Sequence, residues 1–182
     1  MRPSPRHHRA IRGTAAVELV LILPVIVALL AVSVDMSRLL LAYHSVSKSV
    51  RAATRYLARV DGGPAGLGLD CAAGRLAGES PPARAARRLA MTGRLDGDPA
   101  AEPLVPGWTA TSLDAATTGI QIVLDCLDNG DGALGGLYDG AARVPGIVVS
   151  ATVPFRVSLG RVLGLGPTLS FTITRRMAHV GV

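Results

Sequence analysis

Apolar residues dominate the chain from Thr14 to Val34, and a single charged side chain, Glu18, interrupts them. At the α-helical rise of about 1.5 Å per residue, this segment covers roughly 30 Å, the hydrocarbon thickness of a bilayer. The pattern therefore predicts a transmembrane helix over residues 14–34. A carboxylate costs roughly 2.5 to 3.5 kcal/mol at the centre of a membrane and less near its edge, so Glu18 needs a partner. Pro24 predicts a kink, because it removes one helical hydrogen bond.

The apolar positions continue past Val34 at alternating steps of four and three, which keeps them on one face of a helix. These positions are Leu39, Tyr43, Val46, Val50, Ala53 and Leu57. Cationic residues fall on the opposite side at Lys48, Arg51, Arg55 and Arg59. We predict that one helix leaves the bilayer, continues as an amphipathic extension over residues 35–60 and ends at Gly62, Gly63 and Pro64. Its upper half is expected to pack on the chain's own globular part and its lower half on other helices.

Residues 61–182 are predicted to form a small separate domain. Ser80 and Pro81 have the character of an N-cap and a first helical residue, and they predict a short helix that reaches about Gly93. Segments 120–124, 147–157 and 169–173 alternate with a period of two, as half-buried strands do. Residues 108–113 are a candidate for an additional edge strand. The predicted fold is α+β: one long N-terminal helix, with an antiparallel sheet of three to four strands and one short helix packed on its outer half.

Composition and charge favour a membrane-tethered protein. The chain is 49% hydrophobic but only 3% aromatic, and its formal net charge is +6. Four arginines near the N-terminus account for most of this charge: Arg2, Arg6, Arg9 and Arg12. Without them, the net charge falls to +2. Because positive residues stay on the cytoplasmic side, residues 1–13 are predicted to be a cytoplasmic leader and the domain to be extracytoplasmic. The charge therefore gives no support to nucleic-acid binding.

The leader differs from an ordinary secretory signal, whose apolar region spans about 7 to 15 residues and precedes the cleavage site. A cut after Gly13 would instead precede the apolar run and leave Glu18 as the fifth residue. This arrangement, with Gly-Thr-Ala-Ala-Val-Glu at 13–18 and Arg-Ala-Ala-Thr-Arg-Tyr-Leu-Ala at 51–58, resembles the TadE-like pseudopilins of tight-adherence (Flp) pilus systems. The resemblance extends over residues 11–60.

This resemblance implies that a prepilin peptidase cuts between Gly13 and Thr14. It also implies that Glu18 balances the freed amine of Thr14, or that of a neighbouring subunit, inside the membrane. The implied partners are the membrane, the prepilin peptidase, other pilin-like subunits and pilus assembly platform proteins. The implied location is the cytoplasmic (inner) membrane, crossed once, with the N-terminus in the cytoplasm. One departure from the family pattern is Leu19, where an aromatic residue is usual.

Candidate chemistry elsewhere in the chain is sparse. Cys71 and Cys126 fit an oxidising compartment, and we hypothesise that they form a disulfide. The stretch Asp-Asn-Gly-Asp-Gly at 128–132 fails as a calcium loop, because an EF-hand register places Leu127 and Tyr138 at the first and twelfth ligand positions. It is better explained as turns between strands. We expect no metal, no cofactor, no catalytic residue and no small-molecule substrate.

The sequence therefore predicts a minor pilin-like (TadE-like) subunit without enzymatic activity that takes part in tight-adherence pilus assembly. The alternative hypothesis is an uncleaved, signal-anchored extracytoplasmic binding module unrelated to pili. The two differ in whether the bond after Gly13 is cut.

Overall fold

The computed structural model describes residues 8–63, 66–73, 80–96, 101–108, 119–132, 136–158 and 168–181. The helices are α1 (His8–Leu57) and α2 (Pro81–Thr92). The strands are β1 (Ile120–Asp128), β2 (Arg143–Arg156) and β3 (Thr168–Ala178), and one turn of 3-10 helix covers Gly136–Tyr138. The predicted α+β fold, with one long helix, one short helix and an antiparallel sheet, is confirmed.

The long helix α1 has 50 residues and runs through Pro24 without ending. It ends at Leu57, slightly before the glycines that the sequence suggested as its end. The chain then makes a 3-10-type turn, in which the Arg59 amide donates to the Tyr56 carbonyl three residues earlier, at 3.1 Å. Asp61 then stabilises the following turn, because its Oδ1 accepts the Gly63 amide at 2.8 Å.

The three described strands form one sheet in the order β1-β2-β3, with both neighbouring pairs antiparallel. The middle strand β2 is the longest and the most buried. Gly146 on β2 is directly opposite Asp125 on β1, and a Cβ at Gly146 would clash with the Asp125 carbonyl. Of the candidate edge strand, residues 109–113 lie outside the described residues, while Trp108 is fully buried and is not part of a strand.

The core forms between α1 and the sheet, as the stripe of apolar positions predicts. Four α1 side chains in this core are completely buried: Val46, Val50, Ala53 and Leu57. They belong to one cluster with the inward-facing β2 residues Ile147, Val149, Ala151 and Val153. The lower members of the stripe are less covered, since Tyr43 is 43% exposed and meets the domain through the Phe171 ring at a centroid distance of 6.0 Å.

The short helix α2 has the predicted ends. The Ser80 hydroxyl accepts the Ala83 amide at 3.4 Å, and Gly93 adopts φ 75° while its amide donates to the Leu89 carbonyl at 2.8 Å. α2 packs on α1 through small buried residues, and the Ser49 hydroxyl of α1 donates to the Ala90 carbonyl at 2.6 Å. The two helices are therefore joined by a polar contact as well as by packing.

The residues after β3 return to the end of α1 and close the domain. The Val180 amide donates to the Ala58 carbonyl at 2.8 Å, and His179 Nε2 lies 2.8 Å from the Val60 carbonyl oxygen. The Tyr138 hydroxyl donates to the His179 carbonyl. His179 is only 6% exposed, so its ring fixes the chain against the α1 terminus.

Candidate functional site

The N-terminal part of α1 carries a long apolar surface that the described part of the domain does not cover. We call Ala16–Val34 the exposed segment. Its large apolar side chains, from Val17 to Val34, are between 43% and 70% exposed. The window of highest hydropathy has a mean of 2.8 and is 0% buried, and the helix is long and apolar enough to cross a membrane. Such a surface requires a partner or a lipid environment, because water-facing patches of this extent are rare.

Glu18 lies near the start of the exposed segment and is itself exposed. Among the described residues, no side chain forms a hydrogen bond or an ion pair with its carboxylate. Gly13 and Thr14 also lie within α1. Since residues four apart share one face of a helix, the Thr14 backbone nitrogen is one turn, about 6 Å, below Glu18 on the same side. The helix therefore places the Thr14 backbone nitrogen and Glu18 one turn apart on the same face.

Pro24 lies in the middle of the exposed segment. α1 continues on both sides of it, and its side chain is exposed. A helix in lipid tolerates such a proline when neighbouring groups satisfy the freed carbonyl. The kink at this position stays a prediction.

Asp35 links α1 to the domain just beyond the exposed segment. Its carboxylate is only 8% exposed and accepts two hydrogen bonds from Ser158, which follows β2. The Ser158 amide donates to Oδ2 at 2.9 Å, and the Ser158 hydroxyl donates to Oδ1 at 2.8 Å. The last strand residues of β2 are thereby fixed beside the first polar turn after the exposed segment. No local pattern in the sequence predicts this contact, although Asp35 is the first charged residue after the apolar run.

The two cysteines are joined in a disulfide in the structure. Cys71 and Cys126 have their Cα atoms 5.7 Å apart, and the bond links the segment 66–73 to β1. Arg143 Nη1 also donates to the Cys71 carbonyl at 3.0 Å. These two contacts attach the connection between α1 and α2 to the sheet.

The stretch Asp-Asn-Gly-Asp-Gly at 128–132 forms turns at the end of β1, as the sequence predicts. Asn129 is 5% exposed, and its Nδ2 donates to the Tyr138 and Ala141 carbonyls at 3.1 and 3.0 Å. Gly132 has φ 66°, a conformation that favours glycine. Within the part of the chain that the structure describes, no three His, Cys, Asp or Glu side chains are grouped so that they could hold a metal ion.

The fold and these features define a class: a small α+β domain packed on the far half of one long helix, whose near half is long and apolar enough to cross a membrane. A family model described as TadE-like protein matches residues 13–55. The match begins at Gly13 and contains Glu18, Pro24 and Asp35. The predicted TadE-like resemblance is therefore confirmed over this part of the chain, and the family is a structural one rather than a family of enzymes.

The comparisons with curated proteins and with solved structures gave no match. The family match lies within α1 and does not extend to the domain after residue 60.

Proposed function

We propose that this protein is a minor pilin-like (TadE-like) subunit that takes part in tight-adherence pilus assembly and has no enzymatic activity. The observation that carries the proposal is the coincidence of two features on one helix. The TadE-like match covers residues 13–55, and the same helix carries an apolar segment that is exposed over its whole length. On this proposal, the exposed surface faces lipid and other pilin-like helices.

Processing by a prepilin peptidase is the first step of the proposed mechanism. The peptidase cuts between Gly13 and Thr14 and removes the leader with its four arginines. The order of elements supports this site, since basic residues come first, then a glycine, then a glutamate at the fifth position of an apolar helix. Before the cut, the leader holds the precursor in the membrane with its N-terminus in the cytoplasm.

Glu18 acts in the second step, when the helix joins others in the membrane. The freed Thr14 amine lies one turn away on the same face, or the amine of a neighbouring subunit occupies the equivalent place. Opposite charges attract far more strongly in a medium of low dielectric than in water, and the pairing offsets the cost of a carboxylate in lipid. The pair thereby fixes the stagger between adjacent helices.

The domain is proposed to lie outside the cytoplasm, where it contacts assembly platform proteins or other subunits. Two independent features support this orientation. The leader arginines favour a cytoplasmic N-terminus, and the Cys71–Cys126 disulfide fits an oxidising compartment.

The N-terminus of the protein from native membranes tests the processing step. Sequencing or intact mass should give a chain that starts at Thr14. A Gly13→Ala variant should accumulate as the precursor that starts at Met1, while the control Ala16→Ser should be cut normally. A precursor that is the sole form in cells with normal pili would contradict the proposal and favour the uncleaved, signal-anchored binding module.

A Glu18→Gln variant tests the second step separately, because it removes the charge and keeps the shape of the side chain. We expect normal cleavage at Gly13 and a loss of assembled pili on the cell surface. Glu18→Asp, which keeps the charge, should retain part of the assembly. Normal pili in Glu18→Gln cells would show that the carboxylate has no role in assembly.

A further inference from the structure

A pocket with two arginines lies between α1 and the domain, just beyond the exposed segment. Its volume is about 470 Å³, within the usual range for small-molecule sites. We call it the arginine pocket and define it by six of its lining residues: Arg38, Leu41, Leu104, Pro106, Phe155 and Arg156. It is partly lined by apolar side chains, and Phe155 is only 8% exposed.

Both arginines lie at nearly the same level along α1. The Asp35–Ser158 hydrogen bonds bring the chain after β2 to the level of Asp35. Arg38 is about 4.5 Å farther along the helix than Asp35. Arg156 precedes Ser158 by two residues, or about 7 Å of extended chain. The hydrogen bonds therefore bring the strand that carries Arg156 beside the helix that carries Arg38, and both arginines line one pocket.

This level corresponds to the headgroup layer of a bilayer. If the hydrocarbon core ends at Val34, Arg38 lies about 6 Å beyond it along the helix. Headgroups occupy roughly 5 to 8 Å on each side of the core. The two guanidinium groups are thus placed where the phosphate groups of phospholipids lie.

Neither guanidinium group is paired with another side chain in the described part of the chain. Among the described residues, no carboxylate or carbonyl accepts a hydrogen bond from Arg38 or Arg156, and both side chains are exposed. Guanidinium groups bind phosphate through paired, charge-assisted hydrogen bonds, and two of them around one pocket favour a doubly contacted anion.

We propose that the arginine pocket binds the headgroup of an anionic phospholipid, with its phosphate between Arg38 and Arg156. A zwitterionic headgroup fits the pocket less well, because its ammonium group would lie among the two guanidinium groups. A headgroup with a neutral alcohol places only carbon and hydroxyl groups there, against Leu41, Leu104 and Phe155. The bound lipid would set the height of the domain above the membrane. The inference rests on the membrane anchoring in the proposed function, but not on processing or pilus assembly.

The test uses the purified full chain in mixed micelles with equal amounts of phosphatidylglycerol and phosphatidylcholine. Native mass spectrometry measures the ratio of the two lipids that the protein retains. We expect phosphatidylglycerol to dominate, and the R38Q/R156Q variant to lower the ratio by about fivefold or more. The matched control is R51Q/R55Q, which removes the same charge from α1 farther from the membrane and should leave the ratio unchanged. R38Q alone changes one exposed helix position, and it should lower the ratio by less in the same direction.

Three outcomes would overturn the inference. Equal retention of both lipids by the wild-type chain would show no preference for an anionic headgroup. An unchanged ratio in both Arg38 variants, or an equal drop in R51Q/R55Q, would show that the pocket is not the site. A chain that washes off membranes in alkaline carbonate would contradict both the inference and the anchoring, whereas a membrane-bound chain without the lipid preference contradicts the inference alone.

Discussion

The two ends of the apolar surface of α1 contain the same kinds of side chain and have opposite exposure. In the exposed segment, Leu21 is 70% and Leu30 is 62% exposed. In Val46–Leu57, which we call the packed segment, Val50 and Leu57 are 0% exposed. The helix is continuous between them, so the difference arises from what lies beside each segment. The sheet and α2 cover the packed segment, and nothing in the described chain covers the exposed one.

The pattern around the helix already distinguishes the two segments. Beyond Glu18, the exposed segment carries large apolar side chains all around the helix, as a helix surrounded by lipid or by other apolar helices does. The packed segment has one apolar stripe, and its opposite face carries exposed cations such as Arg51 and Arg55. Such a helix buries one face against a single folded partner. The transition between the two patterns lies near Asp35, which accepts hydrogen bonds from Ser158 of the domain.

Removal of the disulfide should give the largest change, and only on the domain side of this comparison. The bond closes a loop across a sequence separation of 55. On the loop-entropy model, replacing Cys71 and Cys126 by serine should lower the free energy of unfolding of the domain by about 4 kcal/mol. Urea denaturation in detergent would measure this change. Membrane retention of the chain should not change, and an unfolding free energy within about 1 kcal/mol of wild type would contradict the expectation.

Truncation of one leucine in each segment compares them directly. Leu57→Ala creates a cavity in the core and should lower the free energy of unfolding by about 3 kcal/mol. Leu30→Ala is the matched control, and it should leave the unfolding of the domain unchanged because Leu30 is 62% exposed and belongs to the exposed segment. Equal effects of the two substitutions would mean that the domain is coupled to the exposed segment. That result would contradict the separation of α1 into an exposed and a packed segment.

The contact at the transition should have a smaller effect. A double-mutant cycle with Asp35→Ala and Ser158→Ala should give a coupling energy of about 1 to 2 kcal/mol, since it isolates the hydrogen bond from the Ser158 hydroxyl to a nearly buried carboxylate. The cycle is measured by urea denaturation of the four proteins. Strictly additive effects of the two substitutions would show that the contact is absent in the membrane-bound protein.

The smallest effect is expected for the ion pair on the outer face of the sheet. Arg176 Nη2 lies 2.9 Å from Asp125 Oδ2, with the two side chains 43% and 49% exposed. Asp125→Asn should change the unfolding free energy by less than about 1 kcal/mol, because solvent screens such pairs. Any loss of unfolding free energy should diminish in high salt, because salt screens the pair. A loss that persists in high salt would come from packing rather than from charge.

Local patterns in the sequence predicted most of the fold. The stripe from Val46 to Leu57 and the Ser80 cap of α2 depend on residues within a few positions of one another, so they are visible without the structure. The alternation of β2 likewise matched its buried face. The roles of Gly13, Thr14 and Glu18 were predicted from order along the chain, and they stay predictions.

Contacts between distant parts of the chain could not be predicted in this way. The Asp35–Ser158 contact joins residues 123 positions apart, and no periodic pattern relates them. Trp108 lies in a segment that is rich in proline and glycine, yet it is fully buried in the core. His179 is similarly buried through its hydrogen bond to the Val60 carbonyl. Each of these positions follows from how the domain closes on α1, which requires the complete packing arrangement.

The central claim is that one helix lies in two environments, and alkylation of introduced cysteines tests it most directly. Leu30→Cys and Lys48→Cys place one free thiol each on exposed faces of the two parts of α1, while the natural cysteines are bonded to each other. In native membranes, a water-soluble maleimide should label the Lys48→Cys protein rapidly and leave the Leu30→Cys protein unlabelled. Labelling of both proteins at the same rate in intact membranes would contradict the account, because the exposed segment would then lie in water.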